Sequence, residues 1–154
     1  MRLSIGVLAI IGCLALPAFA GDLPDPALTP GDVRPDVTKD DLCPATSFSP
    51  VRRVPSSLKQ EVYARYRLAE THSSYCGGGC ELDHLIPLEL GGSNEITNHW
   101  PQPFSGTKWN AKVKDKLENK LHQMVCNGEL SLDVAQREIR TNWIDAYKKH
   151  LGNN

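Results

Sequence analysis

DHLIPLELGGSN, residues 83–94, carries the clearest structural and chemical signature in this 154-residue chain. It opens on an Asp-His pair, continues through apolar residues around Pro87, and closes on Gly-Gly-Ser-Asn, which is typical of a turn. Pro87 excludes a regular helix interior. We therefore predict a strand, a loop and a second short strand that starts near Trp100, with Pro101 and Pro103 ending that second strand.

A helix is predicted before this segment, because apolar residues recur there at helical spacing. Ser57 and Gln60 have the spacing of a capping box, so the helix should begin at Ser57 and end near Glu70. Its apolar stripe is Leu58, Val62 and Tyr66.

Two further helices are predicted after the segment. The first runs from about Thr107 to Cys126, and Gly128 is the expected left-handed residue that stops it. The second begins with Ser131 as its N-cap. The order is therefore helix, two short strands, helix, helix, which indicates an α+β fold.

The ends of the chain divide it into three parts. Residues 1–20 combine Arg2, an apolar run and an Ala-Phe-Ala ending, which predicts a secretory signal peptide. The apolar run is too short for a membrane anchor, and acylation at Cys13 is the alternative. Residues 21–55 are rich in proline and predict an extended or loosely ordered lead-in rather than a domain. Residues 56–154 form the predicted domain.

The charge argues against a tight nonspecific nucleic-acid binder. Removing residues 1–20 takes one basic residue, Arg2, from the 17 in the chain and leaves 18 acidic residues, a net charge of −2. Strong nonspecific binding needs a strongly basic surface. An enzyme that meets its substrate at one basic patch remains compatible with this charge.

Four cysteines remain after that removal, an even number that suggests disulfides in an exported chain. Three pairings are open, and Cys76–Cys80 with Cys43–Cys126 is preferred, since three glycines permit a tight loop between the first two. Zinc held by Cys76, Cys80 and His84 is the alternative, although those glycines disfavour the helix that would align them. A thiol-redox pair at Cys76–Cys80 is the third reading.

The Asp-His pair has the chemistry that phosphodiester hydrolysis needs. The imidazole of His84 titrates near neutral pH and can take a proton from water, and the carboxylate of Asp83 can hold a divalent cation. Adjacent side chains in a strand point to opposite faces. Asp83 and His84 can therefore serve one site only if the backbone bends between them.

Together with Asn98, fourteen residues after His84, and the predicted helix that follows, this segment resembles the HNH, or His-Me finger, nuclease family over residues 81–120. The resemblance implies a ββα-metal core, here with flanking helices and disulfide bracing. It also implies His84 as general base, Asp83 as a metal ligand, and Asn98 as the residue that ties the loop and orients the base.

The second metal ligand follows the family pattern less closely. Asn110 is our choice, although it lies about three residues later than expected, and Glu118 and Asn119 are the alternatives. Lys112 and Lys114 are candidates for contacting the phosphate. Hard oxygen ligands suit Mg²⁺.

These features predict a periplasmic or secreted endonuclease that acts on DNA, RNA or both and has no stable membrane partner after signal cleavage. Whether an inhibitor protein binds it stays open. The alternative is a noncatalytic exported binding module that keeps the ββα scaffold.

Overall fold

The structure, a computed structural model, describes residues 21–43, 54–68, 76 and 79–153. The predicted signal peptide, with Arg2 and Cys13, lies outside these residues. Within them, no helix has both the length and the apolar character needed to cross a membrane.

The described residues form a mixed α/β fold with one small antiparallel sheet. Strands β1 and β2 pair so that Cys80 lies opposite Pro103 and His84 lies opposite His99. The predicted order of helix, two strands, helix and helix is confirmed, and one short helix precedes it. The elements are α1 Lys39–Leu42, α2 Ser56–Arg65, β1 Cys80–His84, β2 His99–Pro103, α3 Ala111–Cys126 and α4 Leu132–Leu151.

Pro101 lies inside β2 and Pro103 is its last residue, so the prediction that the two prolines end the strand is correct for Pro103 and wrong for Pro101. Backbone hydrogen bonds join Leu85 N to Asn98 O and Phe104 N to Gly79 O at the two ends of the pairing. In an antiparallel pair, hydrogen-bonded and non-bonded positions alternate. The prolines therefore occupy non-bonded positions, where the missing N–H costs no ladder hydrogen bond.

The bounds of α2 differ from the prediction. The helix begins at Ser56 after Pro55, no side chain caps it, and the predicted capping box does not form. It ends at Arg65 rather than near Glu70, since Arg67 adopts a left-handed conformation with φ of 55°. Val62 in its stripe is buried, as is Tyr66 just beyond its end.

Helix α3 begins at Ala111, later than predicted, because Asn110 is its N-cap. Gly128 has φ of 76°, as expected of the residue that stops the helix. Ser131 precedes α4 at the predicted N-cap position. A kink that the sequence analysis missed lies within α4 at Asn142, whose side-chain oxygen accepts the N–H groups of residues 144 and 145.

The core consists of two apolar clusters. In the larger one, α3 packs against α4 through buried residues such as Leu117, Leu121 and Ile139. In the smaller one, α2 packs against the sheet through Val62 and Trp100. The sheet and its connecting loop are thus held between α2 on one side and the α3–α4 pair on the other.

The described part of the lead-in contacts the loop that joins β1 to β2. Residues 31–34 lie alongside the glycine turn of the β1–β2 loop, where Val33 forms an isolated antiparallel β-bridge with Gly92. The N–H of Arg34 donates to Gly91 O at 2.9 Å, and Ser93 N donates to Asp32 O at 3.0 Å. The described part of the lead-in, residues 21–43, therefore braces the loop and is called the brace below.

Two disulfides complete the fold, and they match the preferred pairing. Cys43 is bonded to Cys126, which fastens the brace to the end of α3. Cys76 is bonded to Cys80 at the start of β1. Because these two sulfurs are bonded to each other, neither is a thiolate that could hold zinc together with His84.

Candidate active site

Asn98 ties the loop between β1 and β2 from inside. Its side chain is fully buried, and its Oδ1 accepts the N–H of Ile86 at 3.0 Å and that of Asp32 at 3.3 Å. Its Nδ2 donates to the carbonyl oxygens of Ile86 and Ser93, both at 2.9 Å. One amide therefore fixes both arms of the loop and the brace, while its effect on catalysis stays a prediction.

The glycine turn leaves room for that amide. A Cβ at Gly92 would lie 1.8 Å from Ile86 O and 2.9 Å from Asn98 Nδ2, distances that atoms cannot adopt. Gly91 has φ of 79°, a conformation that side chains disfavour. The Gly-Gly pair is thus required by the packing of the loop.

His84 lies at the end of β1, and its residue surface is only 3% exposed. Its Nε2 is 2.9 Å from Asn94 Oδ1. Because a carbonyl oxygen only accepts, Nε2 carries the proton, and in the neutral ring Nδ1 holds the lone pair. The ring centroid of His99 is 4.1 Å away, and Nδ1 of His99 donates to Glu95 O at 2.8 Å.

His84 borders an open pocket of about 290 Å³ between β1 and the start of α2. Lys59, an exposed residue of α2, is also on its wall. Another pocket of about 380 Å³ lies along α4 and contains none of the residues of the Asp-His segment. The residues around the first pocket are Val54, Pro55, Ser56, Lys59, Leu82 and His84.

Asp83 belongs to a buried cluster on the side of α3. Its Oδ2 accepts from Lys114 Nζ at 2.7 Å, and Lys114 also donates to the backbone oxygen of His84 at 2.6 Å and to Glu118 Oε1. An ammonium has three donors, so all three are used. Asp83 is 5% exposed and Lys114 is fully buried. The two carboxylates therefore converge on one cation.

Burial and neighbouring charges shift the pKa values of Glu118 and Lys114. Burial raises the pKa of Glu118 to about 8, against the opposing effect of Lys114. Burial alone would lower the pKa of Lys114, but Asp83 and Glu118 together raise it above its usual value.

The structure separates the other predicted site residues from this cluster. The amide of Asn110 caps α3, accepting from Val113 N at 3.3 Å and donating to Thr107 O at 2.7 Å. Lys112 is exposed, with its Nζ 4.6 Å from the centre of the Phe104 ring. Asn119 is exposed and donates to Asp115 O.

Asp83 and His84 thus direct their side chains to different neighbours, as an extended strand requires. Asp83 contacts α3, whereas the ring of His84 meets Asn94 and His99. The sequence analysis gave no role to Asn94. The i,i+4 spacing of Lys114 and Glu118 was a signal for their pairing.

A third cluster lies outside the Asp-His segment. Among the described residues, one set of at least three His, Cys, Asp or Glu side chains has its ligand atoms within 4.8 Å of one another, and it consists of Cys43, His122 and Cys126. The two cysteines in it are disulfide-bonded.

Comparison of the chain with protein-family models, with curated proteins and with solved structures gives no match.

Proposed function

We propose that this chain is an exported, metal-dependent endonuclease of the HNH type, built on a ββα-metal core formed by β1, β2 and α3. The observation that carries the proposal is the tie made by Asn98. It fixes the β1–β2 loop, at one end of which His84 borders a pocket while the preceding carboxylate, Asp83, faces α3.

The carboxylates of Asp83 and Glu118 fit a divalent cation better than Asn110 does. Both already contact the ammonium of Lys114, whereas the amide of Asn110 is engaged in capping α3. Mg²⁺ binds through one or two carboxylates and keeps several waters. We therefore assign Asp83 and Glu118 as the residues that would hold the ion, and Lys114, which contacts both carboxylates here, would have to leave the space between them.

A bound Mg²⁺ would supply Lewis-acid stabilisation of charge on the scissile phosphate, and this requires the backbone to bend between Asp83 and His84 so that both side chains reach one substrate. His84 acts as the general base, taking a proton from the attacking water at Nδ1. Asn94 holds the Nε2–H and so fixes the tautomer that leaves Nδ1 basic. Asn98 keeps the loop that contains Asn94 in place.

The pocket at His84 is the proposed binding site for the substrate. Lys59 is the basic residue on the pocket wall, and a substrate phosphate bound there would lie beside the general base. Lys114, which was predicted to contact the phosphate, does not bind it in this proposal, because its side chain is fully buried. Lys59 is therefore the residue that we expect to bind the phosphate, and nucleic acid, DNA or RNA, is the expected substrate.

The disulfides support the proposed location. Two disulfides suit an oxidising compartment, which supports the periplasm or the exterior as the place of action.

Lys114 also favours a second candidate function, a noncatalytic binding module on the same scaffold. A chain whose own ammonium fills the space between Asp83 and Glu118 has no need of a metal there. This candidate predicts a stable fold, no cleavage with any divalent ion, and binding that does not depend on His84.

Plasmid nicking by the purified chain without residues 1–20 tests the two candidates. With Mg²⁺ we expect nicking that excess EDTA abolishes and that His84→Ala lowers by about 10²–10⁴-fold. The matched control is His150→Gln, since His150 lies on α4 and pairs with Glu138.

Activity that survives EDTA, or that is equal in His84→Ala and His150→Gln, would rule out this mechanism. Absence of nicking with Mg²⁺, Mn²⁺ and Zn²⁺ on both DNA and RNA would favour the binding module.

A further inference from the structure

The end of α3 brings an imidazole beside a disulfide. His122 and Cys126 lie one helical turn apart on α3, and Cys43, the C-cap of α1, is bonded to Cys126. The Nε2 of His122 is 3.4 Å from Cys126 Sγ and 3.0 Å from Leu42 O. All three side chains are partly buried. The sequence analysis gave no role to His122.

We propose that Cys43, His122 and Cys126 form a zinc site when their disulfide is reduced. Two thiolates and one imidazole are ligands that Zn²⁺ prefers, at about 2.3 Å for sulfur and 2.0–2.1 Å for nitrogen. Ligand atoms around a tetrahedral zinc then lie about 3.5–3.8 Å apart. The three atoms here lie within 4.8 Å of one another, and breaking the disulfide allows the two sulfurs to separate to the tetrahedral spacing.

The reaction balances with a dithiol as reductant. The dithiol gives two electrons and two protons, the Cys43–Cys126 bond breaks, two thiols form, and the dithiol becomes a disulfide. Zinc then displaces both thiol protons to water. His122 gives up the hydrogen bond from its Nε2 to Leu42 O, its proton moves from Nε2 to Nδ1 by exchange with water, and Nε2 then offers its lone pair, with water in the fourth position.

Zinc binding at this site would affect how the brace is attached to α3. Cys43 is the residue through which the brace is covalently attached to α3, and the brace hydrogen-bonds the β1–β2 loop. A zinc ion on the same residues would keep the brace attached after reduction. The chain would then be fastened in both redox states, by a disulfide in one and by zinc in the other.

Cobalt titration tests the site in the chain without residues 1–20, with Cys76→Ser/Cys80→Ser as the parent so that Cys43 and Cys126 are the cysteines that remain. After reduction with a phosphine, we expect one Co²⁺ per chain, with sulfur-to-cobalt charge-transfer and tetrahedral d–d absorption bands. His122→Ala should weaken Co²⁺ binding by at least about tenfold, and the oxidised parent should show no such bands. Zn²⁺ should raise the Tm of the reduced parent and leave that of the oxidised parent unchanged.

The proposal fails if the reduced parent keeps its far-UV circular dichroism and shows no charge-transfer band. It fails equally if His122→Ala binds Co²⁺ as tightly as the parent. A reduced parent that loses its helical signal both with and without Zn²⁺ would also overturn it. Reduced wild-type protein, titrated in parallel, shows whether removal of Cys76 and Cys80 is the cause of any unfolding.

Discussion

Oδ2 of Asp83 lies 2.7 Å from Nζ of Lys114, and this buried ion pair joins β1 to α3. Lys114 is held further by the backbone oxygen of His84 and by Glu118. The ion pair thus fixes the strand that carries the proposed general base against the helix that carries the proposed second metal ligand.

Lys114→Met should destabilise the fold strongly, because it leaves Asp83 buried without a partner. Removing one member of a buried ion pair costs about 3–5 kcal/mol. Urea unfolding at neutral pH measures the change. Lys112→Met, two residues away and exposed, is the matched control and should stay within about 0.5 kcal/mol of wild type. Equal unfolding midpoints for the two variants would contradict the buried pairing.

Asn98→Ala should loosen the β1–β2 loop. The substitution leaves the N–H and carbonyl groups of Ile86 without their side-chain partner, and buried groups left unpaired cost about 1–3 kcal/mol. We expect a loss of that size in urea unfolding, together with faster amide hydrogen exchange at Ile86. Asn119→Ala is the control, since its side chain is exposed on α3. Unchanged exchange at Ile86 in Asn98→Ala would show that the amide does not tie the loop.

The stability of the metal-free protein should fall as pH rises, through the effect of Glu118. Burial raises its pKa from 4.5 to about 8, so between these values the folded chain keeps a proton that the unfolded chain has lost. The contribution is fully present below the unfolded pKa and is lost as pH rises through the folded pKa. The measurement is urea unfolding in EDTA across this range.

Glu118→Gln isolates this effect, because the amide does not titrate. The difference in unfolding free energy between wild type and Glu118→Gln should shift against wild type as pH increases toward about 8 and then level off. A difference that is independent of pH would contradict the raised pKa.

Lys59→Ala should weaken substrate binding without altering the chemical step. If Lys59 contacts a phosphate, KM rises while kcat changes little, and the slope of log affinity against log salt falls by about 0.7–0.9. Cleavage of a fluorescein-labelled oligonucleotide gives KM and kcat. Binding of the same oligonucleotide to protein that also carries His84→Ala gives the salt slope without cleavage. Lys116→Ala, exposed on α3, is the control. Identical salt slopes for the two variants would exclude this contact.

The sequence predicted the secondary structure around the Asp-His segment well, since turn residues and apolar periodicity are local signals. The strands, the last two helices and Gly128 as the helix stop all follow from such signals, whereas the Cys43–Cys126 disulfide was the pair that remained once Cys76 was matched with Cys80. The start of α2 was predicted wrongly, because Ser57 and Gln60 have the right spacing without the right backbone. Proline inside β2 was missed because its tolerance depends on which N–H groups face β1.

The site was harder to predict, because its members come from separate elements. Nothing local to Lys114 shows that its ammonium lies between Asp83 and Glu118, since that depends on how α3 packs on β1. The contact of the brace with the β1–β2 loop could not be predicted either, because a proline-rich segment has no apolar periodicity from which its packing could be inferred. Asn110 was placed by spacing along the chain, whereas its capping role depends on where α3 begins.

Chemical rescue of His84→Gly tests the central claim most directly. The variant removes only the imidazole, and free imidazole added to the assay can replace a general base. With Mg²⁺ and an activated phosphodiester such as bis(p-nitrophenyl) phosphate, cleavage should fall by about 10²–10⁴-fold and recover in proportion to imidazole, with no such response in wild type. A variant that cleaves as fast as wild type, or that stays inactive at every imidazole concentration while folded and binding metal, would contradict His84 as the base.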